Sequence, residues 1–392
     1  MYLSVMKKYL IVIVLLLSSL PVMSQQIEAV QEGGAVIPVE SPVISLLTCS
    51  PGGELYSAWG HSALRVRYPE LGVDMVFNFG IFDFTTPNFY VKFVRGKLQY
   101  MLGIEDFSRF IALYEWEKRE IIEQKLSLTA EQKESIISRL KYLHEPENRY
   151  YYYSFLYKNC TTELRDLILA YTSVSEESLS VEVGETFRDL LNIYTYSWAK
   201  FGINIILGST IDKKMSRFER MFLPDYLMKG ISETMTSEGT LVAEEEVILD
   251  VPKASDLKRG IENIVRPELI ASLILILVLL SLYFKKIEPL IRRGLFSVFG
   301  LAGLFILIVT IITEHTELYW NFNMLWLNPL FLIPAFIKRD RSCKLYRISL
   351  FALLLSIIAL AIIWITGIQY AELGFIIIAI ALVILVEREL FW

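Results

Sequence analysis

The sequence predicts an α+β extracytoplasmic domain, a small antiparallel sheet with helices, followed by an all-α bundle of about five transmembrane helices. Three observations lead to it. Hydrophobic residues make up 54% of the 392 residues and charged ones 21%, and the apolar excess sits at residues 1–24 and beyond residue 267 rather than throughout. Between these regions, short alternating runs and helical periods are interleaved. Lys and Arg are distributed unevenly among the loops of the apolar half, as membrane topology requires.

The N-terminus has Lys7 and Lys8, an apolar run from Tyr9 to about Leu20, and small or neutral residues before Gln25. This reads as a signal peptide over 1–24, cleaved after Ser24. An uncleaved anchor is the alternative, but the run is short for a span of about 20 residues. The extracytoplasmic domain is placed at 25–262. Residues 42–50, 58–68 and 74–81 read as strands, with turn signals at Pro51-Gly52-Gly53 and over Pro69–Asp74. Residues 104–117 are amphipathic and read as helix, and Arg119–Leu126 alternates like a strand. Thr129 and Gln132 form a capping box that opens a helix to about Leu143. Residues 149–157 are a Tyr-rich strand, and a helix follows Asn159. Residues 232–260 read as a linker or a peripheral strand. The apolar stretches at 201–207 and 221–223, with basic neighbours, admit two readings: burial in the domain core, or insertion into the bilayer surface.

The C-terminal domain, 263–392, has apolar segments at about 267–284, 294–313, 320–337, 346–366 and 370–386. Lys285, Lys286, Arg292 and Arg293 follow the first, and Lys338, Arg339, Arg341, Lys344 and Arg347 the third. The loops at Glu314–Glu317 and Gly367–Glu372 carry no Lys or Arg. The chain is therefore expected to be a multi-pass membrane protein with residues 25–266 outside the cytoplasm. The polar stretch from Glu314 to Asn328 is either interfacial anchoring or the rim of a functional cavity.

A net charge of −5 and the lack of a basic tract exclude a nucleic-acid partner. The cysteines are 49, 160 and 343, which is no disulfide framework, and no spacing suggests a metal site. No cofactor is expected. Cys160 falls in the first turn of its helix, where the macrodipole favours a thiolate. Of the three histidines, 61, 144 and 315, His144 ends a helix that reads as exposed, which leaves His61 as the base within this domain. A thiolate at a helix start facing a strand histidine is the papain-like arrangement. Here the histidine comes first, so the expectation is a circularly permuted papain-like (NlpC/P60-like) domain. Asn78, on the strand after His61, is the third group, with Asp83 as the alternative. The competing readings are a buried structural cysteine and histidine, or a Cys49–Cys160 disulfide. Lys92, Arg95 and Lys97 read as a solvated face, with a phosphate site as the alternative.

The runs 46–66, 77–84 (Phe-Asn-Phe-Gly-Ile-Phe-Asp-Phe), 88–97 and 157–166 (Tyr-Lys-Asn-Cys-Thr-Thr-Glu-Leu-Arg-Asp) together resemble the periplasmic domain of the Lnb-type lipoprotein N-acyltransferases of Bacteroidota. Leu207–Asp212, Met221–Asp225 and His315 with Asn321–Pro329 extend the resemblance into the membrane half. It implies transfer of an acyl chain from a membrane phospholipid to the α-amino group of a diacylglyceryl-cysteine lipoprotein. The resemblance also implies a bacterial inner membrane, with this domain on the periplasmic side. Cys160 and His61 match the family's cysteine and histidine. Arg65, Asn159, His315 and Asn321, within the matching motifs, are the expected substrate-binding residues. The rival functions are a membrane-anchored thiol hydrolase, acting as a phospholipase or cell-wall peptidase, and a non-catalytic membrane scaffold.

Overall fold

The computed structural model describes residues 41–174, 176–236, 239–251, 265–284, 286–337 and 343–391. The expected signal peptide at 1–24 lies outside them. The N-terminal part is an α/β domain built on an antiparallel sheet. Its strands are β1 (Val43–Cys49), β2 (His61–Tyr68), β3 (Val73–Ile81), β4 (Gln99–Asp106), β5 (Ile121–Leu126), β6 (Tyr150–Tyr152) and β7 (Val242–Leu249). The order is β7-β5-β1-β2-β3-β4-β6.

Alternation along the strands gives each face its own core. Ile44, Leu46, Leu64, Val66, Phe77 and Phe79 point to one side. There they pack on helices α3 (Ala130–His144), α4 (Cys160–Ala170) and α7 (Pro224–Ser232), through residues such as Ile136, Leu140, Leu164, Ile168 and Leu227. Leu47, Cys49, Ala63 and Val76 point to the other side, onto Phe110 and Tyr114 of α2 (Phe107–Glu117). The Thr129–Gln132 capping box forms as expected, with Thr129 Oγ1 accepting from Gln132 N at 3.2 Å.

One sequence expectation changes in the sheet. Residues 99–106 are strand β4, and the helix begins only at Phe107. The period-2 alternation of β4 was hidden by the amphipathic period of the helix that follows without a loop. Of the two readings of 232–260, the peripheral strand is the one observed: the segment holds β7, an edge strand along β5. A short helix, α1 (Phe89–Val94), follows the aromatic run at the end of β3.

The C-terminal region is helical: α8 (Pro267–Tyr283), α9 (Glu288–Ile312), α10 (Lys344–Ile365) and α11 (Leu373–Phe391). Among the described residues, α9 and α10 are long and apolar enough to cross a membrane. The third apolar segment is not one helix. It breaks into 3₁₀ turns at Phe322–Leu325 and Pro329–Phe331 and a short helix at Leu332–Phe336. Its prolines cannot donate to a helix ladder, and the Asn321 and Asn328 side chains accept from Asn323 N and Leu330 N, each capping the start of a separate short turn. This backbone lies against Gly303 of α9, where a Cβ would come within 2.2 Å of Leu327 O. At the opposite end of the helices, Arg292 bonds to Glu288 at 3.0 Å and Glu389 at 3.2 Å, and Tyr346 also bonds to Glu389.

The two regions are joined by buried polar contacts. Arg188, on α5 (Phe187–Tyr194), pairs with Asp212 at 2.7 Å and donates to Asn204 Oδ1 at 2.8 Å. Asn204, on α6 (Ser197–Ile206), donates to Glu372 Oε1 at 2.7 Å. The stretches with two readings divide: Met221, Phe222 and Leu223 are buried in the domain, whereas Phe201 packs on Phe375 of α11 with ring centroids 4.8 Å apart.

Candidate active site

The site lies where the start of α4 meets the ends of β2 and β3. Asn159 caps α4: its Oδ1 accepts from Thr161 N and Thr162 N, both at 2.8 Å, and its Nδ2 donates to Phe155 O and Phe222 O. Those bonds consume the backbone donors of Thr161 and Thr162. Cys160 N–H has no partner among the described residues and remains available beside its own side chain.

β2 and β3 pair antiparallel with Leu64 opposite Phe77, which sets His61 and Asn78 near one another across the hairpin. His61 Nε2 donates to Asn78 Oδ1 at 2.6 Å, and Asn78 Nδ2 donates to Glu105 Oε1 at 3.3 Å. The Glu105 carboxylate fixes the amide, because only the Nδ2 end can donate to it. The amide in turn makes Nε2 the protonated nitrogen of a neutral imidazole. That leaves Nδ1 to meet Cys160, whose side chain is hydrogen-bonded to His61. Gly80 makes room for this approach. Its φ is +88°, it lies at the irregularity between Asn78 and Ile81, and a Cβ there would sit 3.6 Å from Cys160 Cβ.

Burial pushes the Cys160 thiol up. The positive charge and hydrogen bond of His61, the Ser62 N–H and the Thr161 hydroxyl outweigh it and bring the thiol from 9.0 down to about 7. Burial lowers His61, but the Cys160 charge and hydrogen bond, with the Asn78 bond, raise it above 6.5 overall. The shifts reinforce one another and favour a thiolate–imidazolium pair. Cys49 behaves oppositely: it is fully buried and free, and burial pushes its thiol up to about 12. Cys160 is also free, so the structure contains no Cys49–Cys160 disulfide.

The other sequence candidates are placed elsewhere or used structurally. Arg65 is buried, bonded to Asp74 at 2.5 Å and Glu123 at 3.0 Å, and stacked over Phe107. Asn159 is saturated by its capping bonds. Asn321 Nδ2 donates to Ile205 O and Ile206 O, tying the broken membrane segment to α6. His315 Nε2 donates to Phe93 O at 2.9 Å. Arg65, His315 and Asn321 are held by these partners away from the thiol, and Asn159, beside Cys160 in the chain, has its side chain taken up by the cap. Asp83, the alternative to Asn78, is exposed and holds Thr85. His144 ends α3 half-buried rather than solvent-facing.

Two features escaped the sequence. Glu105 was hidden in the misread helix. An aromatic wall runs from Tyr153, beside Gly80, to Tyr100 at 4.4 Å, then to Phe82 at 5.2 Å and Phe89 of α1 at 5.8 Å. The Phe-rich run 77–84 and the Tyr-rich run 150–153 were its only sequence signal.

A cysteine hydrogen-bonded to a histidine, which an amide and a carboxylate hold in turn, sits on an α/β domain joined to apolar helices, the class of a membrane protein with a paired Cys–His site. The Lnb N-terminal periplasmic domain matches residues 34–192, and the Lnb transmembrane domain matches residues 262–391. The chain belongs to this Lnb-type family, whose two domains point to a lipoprotein-modifying membrane protein with a periplasmic domain. No curated protein and no solved structure matches it.

Proposed function

We propose that the protein is a lipoprotein N-acyltransferase that works through a Cys160 thioester. The observation that carries this is Cys160 at the start of α4, hydrogen-bonded to a His61 held by Asn78 and Glu105, in a chain of the Lnb-type family. Cys160 attacks the ester carbonyl of a membrane phospholipid, and the Cys160 N–H donates to the oxyanion as it forms. The ester C–O bond breaks, and the His61 imidazolium gives its proton to the departing lysophospholipid oxygen. The α-amine of a diacylglyceryl-cysteine lipoprotein then attacks the thioester. His61 takes the amine proton, the C–S bond breaks and the thiolate returns. Asn78 holds the imidazole in the tautomer that both steps need, and Glu105 holds Asn78. The aromatic wall suits an acyl chain and keeps water from the thioester.

The order His61, Asn78, Cys160 along β2, β3 and α4 supports a circularly permuted papain-like domain. The domain boundaries we propose are 1–24 for a signal peptide, 25–262 for the catalytic domain and 263–392 for five membrane crossings. In that scheme α8, α9, the broken third segment, α10 and α11 each cross once. Its support is that Thr313, Asn321 and Glu372 all contact the α/β domain, while Glu288, Tyr346 and Glu389 meet at the other end.

The test is mass spectrometry of lipoprotein N-termini from cells with the gene, without it, and with Cys160→Ala. The reading expects an extra acyl chain only with the unaltered gene. N-acylated lipoproteins in the Cys160→Ala cells, or fatty acid released with no acylated amine, would sink it.

A further inference from the structure

A cavity of about 750 Å³ opens between α1, the ends of β3 and β4, and β6, with Ile81, Phe82, Lys92, Arg95, Lys97 and Tyr152 on its wall. Its charge is unbalanced. Among the described residues neither Lys92 nor Arg95 has an ion-pair partner, while Lys97 is held by Glu314 at 2.8 Å. The acid on the wall, Asp83, stays charged in its bonds from Thr85, but it faces Lys92, Arg95 and Lys97, so the wall is net positive. The position of the cavity is equally specific. The last carbonyls of α1 are bonded by the residues that directly follow the membrane-length helix α9: Phe93 O by His315, Val94 O by Thr313 and Arg95 O by Glu314 N. α1 is therefore fixed at the membrane boundary. Its neighbourhood also exposes Phe84, Tyr90 and Phe93, aromatic groups suited to that boundary. Finally, the wall begins at Ile81, one residue beyond the Gly80 that packs against Cys160.

We infer that this cavity binds the phosphate-bearing headgroup of a membrane phospholipid, with Lys92 and Arg95 on the phosphate and the acyl chains left beside the aromatic face of α1. A guanidinium and an ammonium are the groups that recognise a phosphate diester. The headgroup is thereby anchored next to the thiol, so the ester carbonyl is presented without the lipid leaving the bilayer. The inference deepens the transfer reading and rests on it for the identity of the lipid as acyl donor.

The test uses the full-length chain in uncharged detergent. In a Cys160→Ala background, native mass spectrometry should find phosphatidylglycerol retained. The Lys92→Gln/Arg95→Gln pair should reduce retention about tenfold, and Lys213→Gln/Lys214→Gln, a basic pair elsewhere, should leave it unchanged. Diacylglycerol and soluble glycerol phosphate should not be retained. Equal retention by the Lys92/Arg95 variant and its parent would overturn the inference, as would retention of glycerol phosphate or diacylglycerol as tight as that of the lipid. With Cys160 present, the same pair should raise the phospholipid concentration that half-saturates thioester formation about tenfold. An unaltered chain that forms no thioester refutes the transfer reading, and lipid retention alone then decides the cavity.

Discussion

Replacing His61 by Ala should move the acidity of one thiol by about two units or more, and its pH profile would show it. With His61 in place Cys160 stands near 7, below the ordinary 9.0. Without it, the charge and hydrogen bond that overcome burial are gone, and the thiol should return to about 9 or higher. The sign follows from the thiol being the acid. Alkylation needs thiolate, so reactivity is present above the thiol's own value and lost as pH falls through it. At pH 7 about half of the unaltered thiol is ionised, against about 1% at an ordinary value. The rates differ less, because a less basic thiolate is a weaker nucleophile. With a Brønsted coefficient of about 0.4–0.5, the roughly fiftyfold gain in thiolate shrinks to roughly sixfold in rate at pH 7. The midpoint is therefore the better readout. Iodoacetamide labelling of Cys160, followed by peptide mass spectrometry from pH 5 to 10, should give a midpoint near 7 for the unaltered chain. His61→Ala should bring it to about 9 or above, and Asn78→Ala to a value between. A midpoint unmoved by His61→Ala would refute the coupling of imidazole and thiol.

Asn159→Ala removes two N–H caps and frees two carbonyl acceptors, and should lower stability by about 2–3 kcal/mol in thermal unfolding in detergent. Gly303→Leu, driven into the Leu327 carbonyl, should cost about 1–3 kcal/mol by the same measurement. In the folded protein an alkylating agent should label Cys160 and leave Cys49 untouched until denaturant is added, since Cys49 is fully buried with its thiol near 12. Under the proposed five-crossing topology, which would place Cys343 on the cytoplasmic side, an impermeant reagent added outside intact cells should miss it. A chain cut after residue 262 should unfold at lower temperature than the full chain. The cut leaves the buried Asn204 without its Glu372 partner and exposes Phe201, which packs on Phe375.

What the sequence disclosed and concealed divides along physical lines. The β2–β3 hairpin was legible because alternation and a turn signal set register and face together, and the face carried His61 and Asn78. The helix start at Cys160 was legible because Asn159 and Thr162 are capping residues in sequence and in space. Glu105 was hidden because β4 passes into α2 at Asp106 with no intervening loop. Arg65, Asn159, His315 and Asn321 were expected to bind substrate because each lies within the motifs of the family resemblance. In the structure each answers a local demand, whether a buried ion pair, a helix start, or carbonyls at the junction with the membrane region. The third apolar segment reads as one of five helices, and here the structure differs only in its local form. Its hydropathy matches a span, but its prolines and Asn side chains divide the backbone into short turns.

The most direct test of the central claim is the intact mass of the full-length chain after incubation with phospholipid, before and after a diacylated lipopeptide is added. The account predicts one acyl adduct on Cys160, absent from Cys160→Ala, that disappears when the lipopeptide is added while the peptide gains one acyl chain at its amine. An acylated lipopeptide produced by the Cys160→Ala chain would contradict it, as would an adduct on Cys160 that the lipopeptide does not discharge.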